Sequence, residues 1–341
     1  MKIGEEMSQH LNHNHNMKMY GEIKLYAGSG SPELSQKIAD YLGQQISPRE
    51  VIKFPNENIF IKLKSSARGQ DVYIIQTTSS PVHYNLMELL IMIQTIRLDS
   101  AARITAVIPY LCYGRSDKKD QPRVPITARL VADIIEIAGA DRYMTFDPHA
   151  GQIQGFFSIP GDVLTASHMI SDYIKANLHA QMKDPVVVAT DLGFAKKGRN
   201  YALDMDVPIA FIEKRRIGNN AKTEALTLIG DVNDRDVIIV DDEVDTGGSI
   251  AQAVDVVRQH GARDIYLAFI HPIFSRDAVE RLAELPIKHI ITTDTVSIPT
   301  EKMEPLEGRI TILSISSMLG EVIRRAHEGR SVGEMFNEQF A

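Results

Sequence analysis

The 341-residue chain has no tryptophan, one cysteine and only 6% aromatic residues. Cys112 on its own cannot close an intrachain disulfide, so stability has to come from a hydrophobic core, and a reducing cytoplasm is the compartment that such cysteine usage predicts. Long apolar runs are also missing. Leu89–Ile93 and Val237–Val240 fall far short of the roughly 18–20 residues a membrane span needs. The opening Met1–Met19 is polar and Asn/His-rich, without the charged-then-apolar order of a secretory leader. Nor is there a surplus of positive charge. The 37 basic and 44 acidic residues leave a net charge of −7, which gives no broad footprint for nucleic acid. The 44% hydrophobic and 24% charged residues are an ordinary globular mixture. At one domain per roughly 150 residues, two domains are expected.

His10, His13 and His15 precede the first plausible strand, and a flexible extension over residues 1–20 is expected there rather than a metal-binding tail. Regular text starts at Ile23. A short strand (Ile23–Ala27) meets a Gly/Ser turn, and Pro32 opens a helical pattern running to Leu42. Strands are then predicted at Val72–Thr77, Ile104–Pro109, Tyr143–Phe146, Val186–Ala189, Ile209–Ile212, Val237–Val240, Ile265–Ile270 and Ile287–Thr292. Helix-period segments alternate with them at Asn85–Leu98, Thr127–Ala138, Ser249–His260 and Asp277–Ala283. The strands are nearly continuous β-branched or apolar runs, as expected when helices cover both faces of a mainly parallel sheet. The expected fold is therefore α/β.

An internal correspondence sharpens this. Thr127–His149 (TARLVADIIEIAGADRYMTFDPH) and Ser249–His271 (SIAQAVDVVRQHGARDIYLAFIH) share a hydroxyl residue, a helix, a Gly-Ala turn, a strand and a histidine at identical spacing. Two similar domains in tandem are expected, over residues 21–165 and 166–341, with the last segment packing back on the first domain. The loops before the two helices differ. Lys119–Ile126 (KDQPRVPI) has no glycine, whereas Asp241–Gly248 (DDEVDTGG) can wrap a phosphate.

That second loop carries the strongest chemical signal. In VIIVDDEVDTGGSI an apolar strand runs into two adjacent carboxylates, then a turn, then a helix. Gly247 and Gly248 can adopt positive φ and admit close backbone approach, and Thr246 and Ser249 add hydroxyls. The free N–H groups of a helix start favour a phosphate. Asp241 and Asp242 sit where α/β sheets bind ligands, at the carboxyl end of a strand, and carboxylates suit a sugar diol or Mg²⁺. Carboxylates beside a phosphate loop fit a ligand that presents both hydroxyls and phosphate.

The loop resembles the phosphoribosyl-diphosphate-binding loop of the type I phosphoribosyltransferase fold. The rest of the chain narrows the resemblance to the ribose-phosphate pyrophosphokinase family. It rests on YAGSGSPELSQKIADYL (Tyr26–Leu42), NLMELLIMIQTIR (Asn85–Arg97), ITAVIPYLCYGRSDKKD (Ile104–Asp120), DPHAGQIQGFF (Asp147–Phe157) and EKRR (Glu213–Arg216). It implies two phosphoribosyltransferase-like domains and transfer of the β,γ-diphosphate of ATP to the C1 hydroxyl of ribose 5-phosphate, with Mg²⁺. It also implies a cytoplasmic homohexamer that binds neither nucleic acid nor membrane.

Carried over residue by residue, Lys214 and Arg216 are the catalytic cations, and Arg216, Asp241, Asp242, Asp245, Thr246, Gly247, Gly248 and Ser249 form the ribose 5-phosphate site. Phe54, Asn56, Asn58, Arg115 and Ser116 correspond to the ATP slot, and His149 and Asp191 to the metal site. Ser66, Arg68, Arg123, Ser314, Ser316 and Ser317 align with contacts for phosphate or ADP effectors at subunit interfaces.

The chain departs from the family pattern at Asn58 (usually Glu), Ser116 (Gln), Pro148 (Leu), Phe194 (Gly) and Lys197 (Arg). These positions surround the nucleotide rather than the sugar. A catalytically weak regulatory subunit of the same family is the alternative, and loss of the catalytic cations would favour it. They are present.

Overall fold

In the computed structural model the described residues are 20–216 and 224–337, apart from the side chains of 214–216, 224, 225, 336 and 337. The first half contains β1 (Ile23–Ala27), α1 (Pro32–Leu42), β2 (Arg49–Lys53), β3 (Ile59–Leu63) and β4 (Asp71–Ile75). It continues with α2 (Val82–Leu98), β5 (Arg103–Ile108), α3 (Thr127–Ala138), β6 (Arg142–Phe146) and β7 (Gly161–Leu164). The second half contains α4 (Ser167–Asn177), β8 (Val186–Ala189), α5 (Ala195–Met205), β9 (Ile209–Arg216), β10 (Glu224–Ile229) and β11 (Val237–Val244). It ends with α6 (Gly248–Gln259), β12 (Ile265–Pro272), α7 (Ala278–Glu284), β13 (Ile287–Thr293), β14 (Ile310–Leu313), α8 (Ser316–Glu328) and α9 (Gly333–Asn337).

Two sheets result. One has five strands in the order β1-β4-β5-β6-β7, all parallel. The other has seven, in the order β10-β9-β8-β11-β12-β13-β14, and only β10 runs antiparallel. The expected α/β architecture of tandem parallel sheets is what the chain adopts. Its central strands, such as β5 and β12, are buried at every residue, which explains their unbroken apolar text.

Successive residues of a strand serve opposite layers. Val72 and Ile74 of β4 face a core with α2 and α3, whereas Tyr73 and Ile75 join a core that both sheets share. That shared core holds Leu34 and Ile38 of α1, Ile170 of α4, Tyr201 of α5 and Ile323 of α8 between the two sheets. A third core packs α6 and α7 on the far face of the second sheet. The late helix α8 reaches the first sheet by polar links as well. Arg103 binds Asp71 at 2.7 Å and the Ala326 carbonyl at 3.0 Å, and His327 Nδ1 lies 2.8 Å from Asp71.

The internal correspondence is visible in backbone detail. In both halves the glycine after the helix has positive φ, 112° at Gly139 and 85° at Gly261. The two turns close alike: Gly139 and Gly261 donate to Glu136 and Arg258, and Ala140 and Ala262 donate to Ile135 and Val257.

β7, β10, β14, α4, α5, α8 and α9 were not anticipated from the sequence, and three further differences bear on the site or its surroundings. The hairpin β2–β3 is half exposed and lacks a long apolar run to announce it. β9 continues through Arg216 because β10 pairs with it, placing Lys214 opposite Leu226 and Arg216 opposite Glu224. The Lys-Arg-Arg triplet is therefore the end of a strand and not a segment following it. β11 likewise extends through Val244, since Glu243 and Val244 pair with His271 and Pro272.

Candidate active site

In the second sheet β9 and β11 flank β8 on opposite sides, so the connections from β8 and to β11 diverge and leave a crevice at the strands' carboxyl ends. Thr190 and Asp191 follow β8, and the acidic run ends β11. Here a cavity of about 190 Å³ is lined by Arg115, His149, Thr190, Asp191 and residues 241–250. Both halves of the chain contribute to it.

Adjacent carboxylates on a strand face opposite ways, and each finds its own partner. Asp241 accepts from Thr190 Oγ1 at 2.8 Å and from the Asp242 N–H at 2.9 Å. Asp242 Oδ2 lies 2.8 Å from His149 Nδ1. Burial and the neighbouring Asp242 push the Asp241 carboxyl well above the usual range. Burial alone would raise Asp242 too, but the His149 hydrogen bond and charge, helped by Lys197, hold it down at about 2. The same bond raises His149 against the effect of its burial.

The phosphate loop is shaped by its backbone. Gly247 sits at φ 73° immediately before α6, a conformation that favours glycine, whereas Gly248 is already helical and needs no positive φ. Arg281 Nη1 donates to the Thr246 carbonyl at 2.8 Å, and Ser275 N–H donates to the Asp245 carbonyl at 2.9 Å, bracing the loop from behind. The first N–H groups of α6 have no intrahelical acceptors, the arrangement that favours an anion at a helix start.

Arg115 crosses from the first half to this loop. It forms an ion pair with Glu243 and approaches Asp245 Oδ2 at 3.4 Å. Glu243 was not among the residues anticipated from sequence, nor were Thr190 and Arg281. Strand alternation from Asp241 could have marked Glu243 as a neighbour on the same face, but nothing in the text paired it with Arg115.

Three of the five departures from the family pattern meet next to the cavity. Lys197 Nζ donates to the Pro148 carbonyl at 2.9 Å and stands 5.8 Å from the centre of the Phe194 ring. Phe194 has φ −86°, so no glycine is required, and its ring is buried in the shared core. Its N–H donates to Asp191 Oδ1 at 2.8 Å.

The other anticipated positions are spread out. Phe54, Asn56 and Asn58 form the β2–β3 turn, where Phe54 N–H donates to the Asn58 carbonyl at 2.9 Å and the Phe54 side chain is exposed. Asn58 lines a separate cavity of about 560 Å³ with His83 and Tyr84 of α2. Among the described residues no hydrogen bond or cavity joins that turn to Arg115. Ser116 Oγ accepts from the Thr127 N–H at 3.3 Å and so serves the start of α3. Ser66 binds Asp99 at 3.1 Å, Ser314 binds Ser316 at 3.0 Å, and Ser317 lines a cavity with Tyr41 and Glu321. Arg123 is exposed, at φ 66°. Arg68 N–H donates to Ser66 Oγ at 3.2 Å. The side chains of Lys214 and Arg216 lie outside the described residues. Among the described residues no helix is long and apolar enough to cross a membrane.

Tandem parallel sheets, with an acidic strand end running into a glycine turn and a helix start, define an α/β enzyme of the phosphoribosyl-binding class. Residues 23–139 match the N-terminal domain of ribose phosphate pyrophosphokinase, and residues 216–337 match the phosphoribosyl synthetase-associated domain. The chain is 42% identical over 315 residues to the ribose-phosphate pyrophosphokinase of Clostridium tetani, covering 92% of this chain and 97% of that one. It is 40% identical over 314 residues to the Aquifex aeolicus protein of the same description, covering 92% and 99%. The crystal structure of phosphoribosylpyrophosphate synthetase from Mycobacterium smegmatis matches with a TM-score of 0.85 at 38% identity, covering 90% of this chain and 99% of that one. The chain belongs to the ribose-phosphate pyrophosphokinase family. It is an ATP-using transferase.

Proposed function

We infer that the chain transfers the β,γ-diphosphate of ATP to the C1 hydroxyl of ribose 5-phosphate, giving phosphoribosyl diphosphate (PRPP) and AMP for nucleotide biosynthesis. The observation that carries this reading is the shared cavity, where Arg115 and His149 of one half face Asp191 and the 241–249 segment of the other. The α6 N-terminus, with Thr246 and Ser249, takes the sugar's 5-phosphate, and the carboxylates of Asp241, Asp242 and Asp245 accept from its hydroxyls. Arg115 binds the nucleotide's phosphates, and Phe54 offers an aromatic face for the base. Lys214 and Arg216 neutralise the charge that grows on the diphosphate as its bond to the α-phosphate breaks, so they act on the rate more than on binding.

The donor set suits Mg²⁺. His149 uses Nδ1 on Asp242, and Asp191 uses Oδ1 on the Phe194 N–H, so each keeps one atom for the ion or its waters. Among the described residues no group of three His, Cys, Asp or Glu side chains is arranged to hold a metal by itself. That fits an ion which prefers oxygen, retains waters and is held largely by substrate phosphates. When bound, Mg²⁺ supplies charge neutralisation on the diphosphate.

A cytoplasmic homo-oligomer, hexameric as in the resemblance, belongs to the same proposal. The resemblance places an effector phosphate or ADP at Ser66, Arg68, Arg123, Ser314, Ser316 and Ser317, at contacts between protomers. The direct test of function is incubation of the purified protein with ribose 5-phosphate, Mg²⁺ and each nucleoside triphosphate. PRPP and nucleoside monophosphate in equal amounts are expected, and formation of neither would refute the reading.

A further inference from the structure

Glu243 is a carboxylate buried at the end of β11, 7% exposed, with no place in the ribose 5-phosphate or metal sites described above. Strand alternation sets it apart from Asp242, and its position opposite His271 in β12 puts it at the rim of the cavity nearest the first half. Burial pushes its carboxyl up, and the Arg115 charge offsets part of that push. Burial and the Glu243 carboxyl both raise the Tyr110 phenol, and both Tyr110 and Arg115 lie just after β5. A buried carboxylate is costly unless it is paired, and among the described residues the ion pair of this one is with Arg115, from the other half of the chain.

The pair has a direction. Arg115 meets Glu243 through Nε, and its Nη1 stands 3.4 Å from the partly exposed Asp245. A guanidinium has five donors in a planar fork, and a carboxylate on the Nε edge leaves the remaining N–H groups to grip a second anion. We propose that Glu243 is a positioning residue, which holds the Arg115 guanidinium at the rim of the phosphate loop with its outer N–H groups presented to the nucleotide's polyphosphate.

An arginine not held by Glu243 must give up side-chain rotational freedom when ATP arrives, since its other contact, to the partly exposed Asp245, is long. This inference rests on the assignment of Arg115 to the ATP phosphates.

The test is a double-mutant cycle on the full-length enzyme, using Glu243→Gln, Arg115→Ala and the combined variant, with thermal melting as a check on folding. Glutamine keeps the shape and a hydrogen-bond acceptor but loses the charge. Glu243→Gln is expected to raise KM for ATP about three- to tenfold while leaving kcat within about twofold, and Glu243→Asp is expected to fall between it and wild type. In the Arg115→Ala background the Glu243→Gln change should have no further effect on KM for ATP. If Arg115→Ala leaves KM for ATP unchanged, the ATP assignment of Arg115 is wrong, and the inference falls with it. If Arg115→Ala raises KM for ATP but Glu243→Gln does not, or if the Glu243→Gln effect persists without Arg115, the assignment stands and the positioning role is overturned. Should Glu243→Gln not fold, Glu243→Asp, which keeps the charge but draws it back from the guanidinium, is expected to raise KM for ATP by a smaller factor. An unchanged value there would also overturn the role.

Discussion

His149 Nδ1 and Asp242 Oδ2 are 2.8 Å apart, although 93 residues separate them in the chain. The bond joins the end of β6 in the first sheet to β11 in the second, and it sets the charge of both groups. It also fixes which nitrogen of the imidazole stays available to a ligand.

Replacing Asp242 with Asn should therefore show at the histidine before it shows anywhere else. The His149 pKa is expected to drop from its raised position towards the ordinary value of about 6.5, and activity to fall by about tenfold or more. The ring's titration can be followed by NMR alongside turnover. An imidazole that titrates as in the wild type would mean that Asp242 does not set its charge.

The phosphate loop invites a substitution that separates ligand contact from folding. A Cβ on Gly248 would meet only Arg281 Nη1 at 3.6 Å and Thr246 Oγ1 at 3.7 Å, ordinary contacts that the protein can accept. Gly248→Val should thus melt within a few degrees of wild type, while its side chain obstructs the approach of the 5-phosphate and raises KM for ribose 5-phosphate at least tenfold. Asp245→Ala should raise the same KM through loss of a hydroxyl acceptor. Unchanged saturation by ribose 5-phosphate in both variants would misplace the sugar site.

Much of this loop was legible in the sequence because strand, carboxylates, glycines and helix are contiguous there. The same holds for the strands β4, β5, β6, β8, β11, β12 and β13, whose apolar text follows from burial on both faces. The hairpin β2–β3 escaped because its short strands are largely half-buried or exposed, with only Ile61 buried, and β10 because its pairing with β9 depends on a partner rather than on its own pattern. Glu243 escaped for a different reason. Its significance lies in an arginine more than a hundred residues earlier, and no spacing rule connects them. Ser116 shows the limit of carrying a family role by position, since its hydroxyl is already engaged at the start of α3.

Stability should depend on pH through His271. This ring lies in β12, bonded to Thr295 Oγ1 at 3.0 Å, and burial lowers its pKa to about 4. The folded state thus favours the neutral ring, while the unfolded chain takes up a proton at about 6.5. The contribution is complete above that pH and is lost as pH falls towards 4. Between pH 7 and 5 it amounts to roughly 2 kcal/mol. Urea unfolding at the two pH values should show a loss larger by about that amount in wild type than in His271→Asn. Equal losses would mean that the ring is not held neutral.

The last expectation concerns the choice of nucleotide donor. Asn58 and Ser116 stand where relatives are expected to carry Glu and Gln, and the folded chain makes the consequences unequal. Asn58 lies on the exposed β2–β3 turn, where its N–H bonds to Asn56 Oδ1 at 3.2 Å and its side chain faces a cavity. The Ser116 hydroxyl accepts from the Thr127 N–H and is not available to read a base. At the proposed nucleotide site the purine would then lose a carboxylate at one position and an amide at the other. Stacking on Phe54 and ion pairing with Arg115 do not depend on base identity, so activity should persist while discrimination between ATP and GTP weakens. One polar recognition contact is worth on the order of 1 kcal/mol, or roughly a fivefold to tenfold preference. Asn58→Glu should recover about that factor in the ATP/GTP ratio of kcat/KM without changing stability, because the turn is open to solvent. Ser116→Gln should recover less and also lower the melting temperature, since it removes the hydroxyl that accepts from the Thr127 N–H, a hydrogen bond worth about 1 kcal/mol. If Asn58→Glu leaves the ratio of kcat/KM where it was, backbone groups rather than this side chain read the base, and the relaxed-donor expectation is wrong.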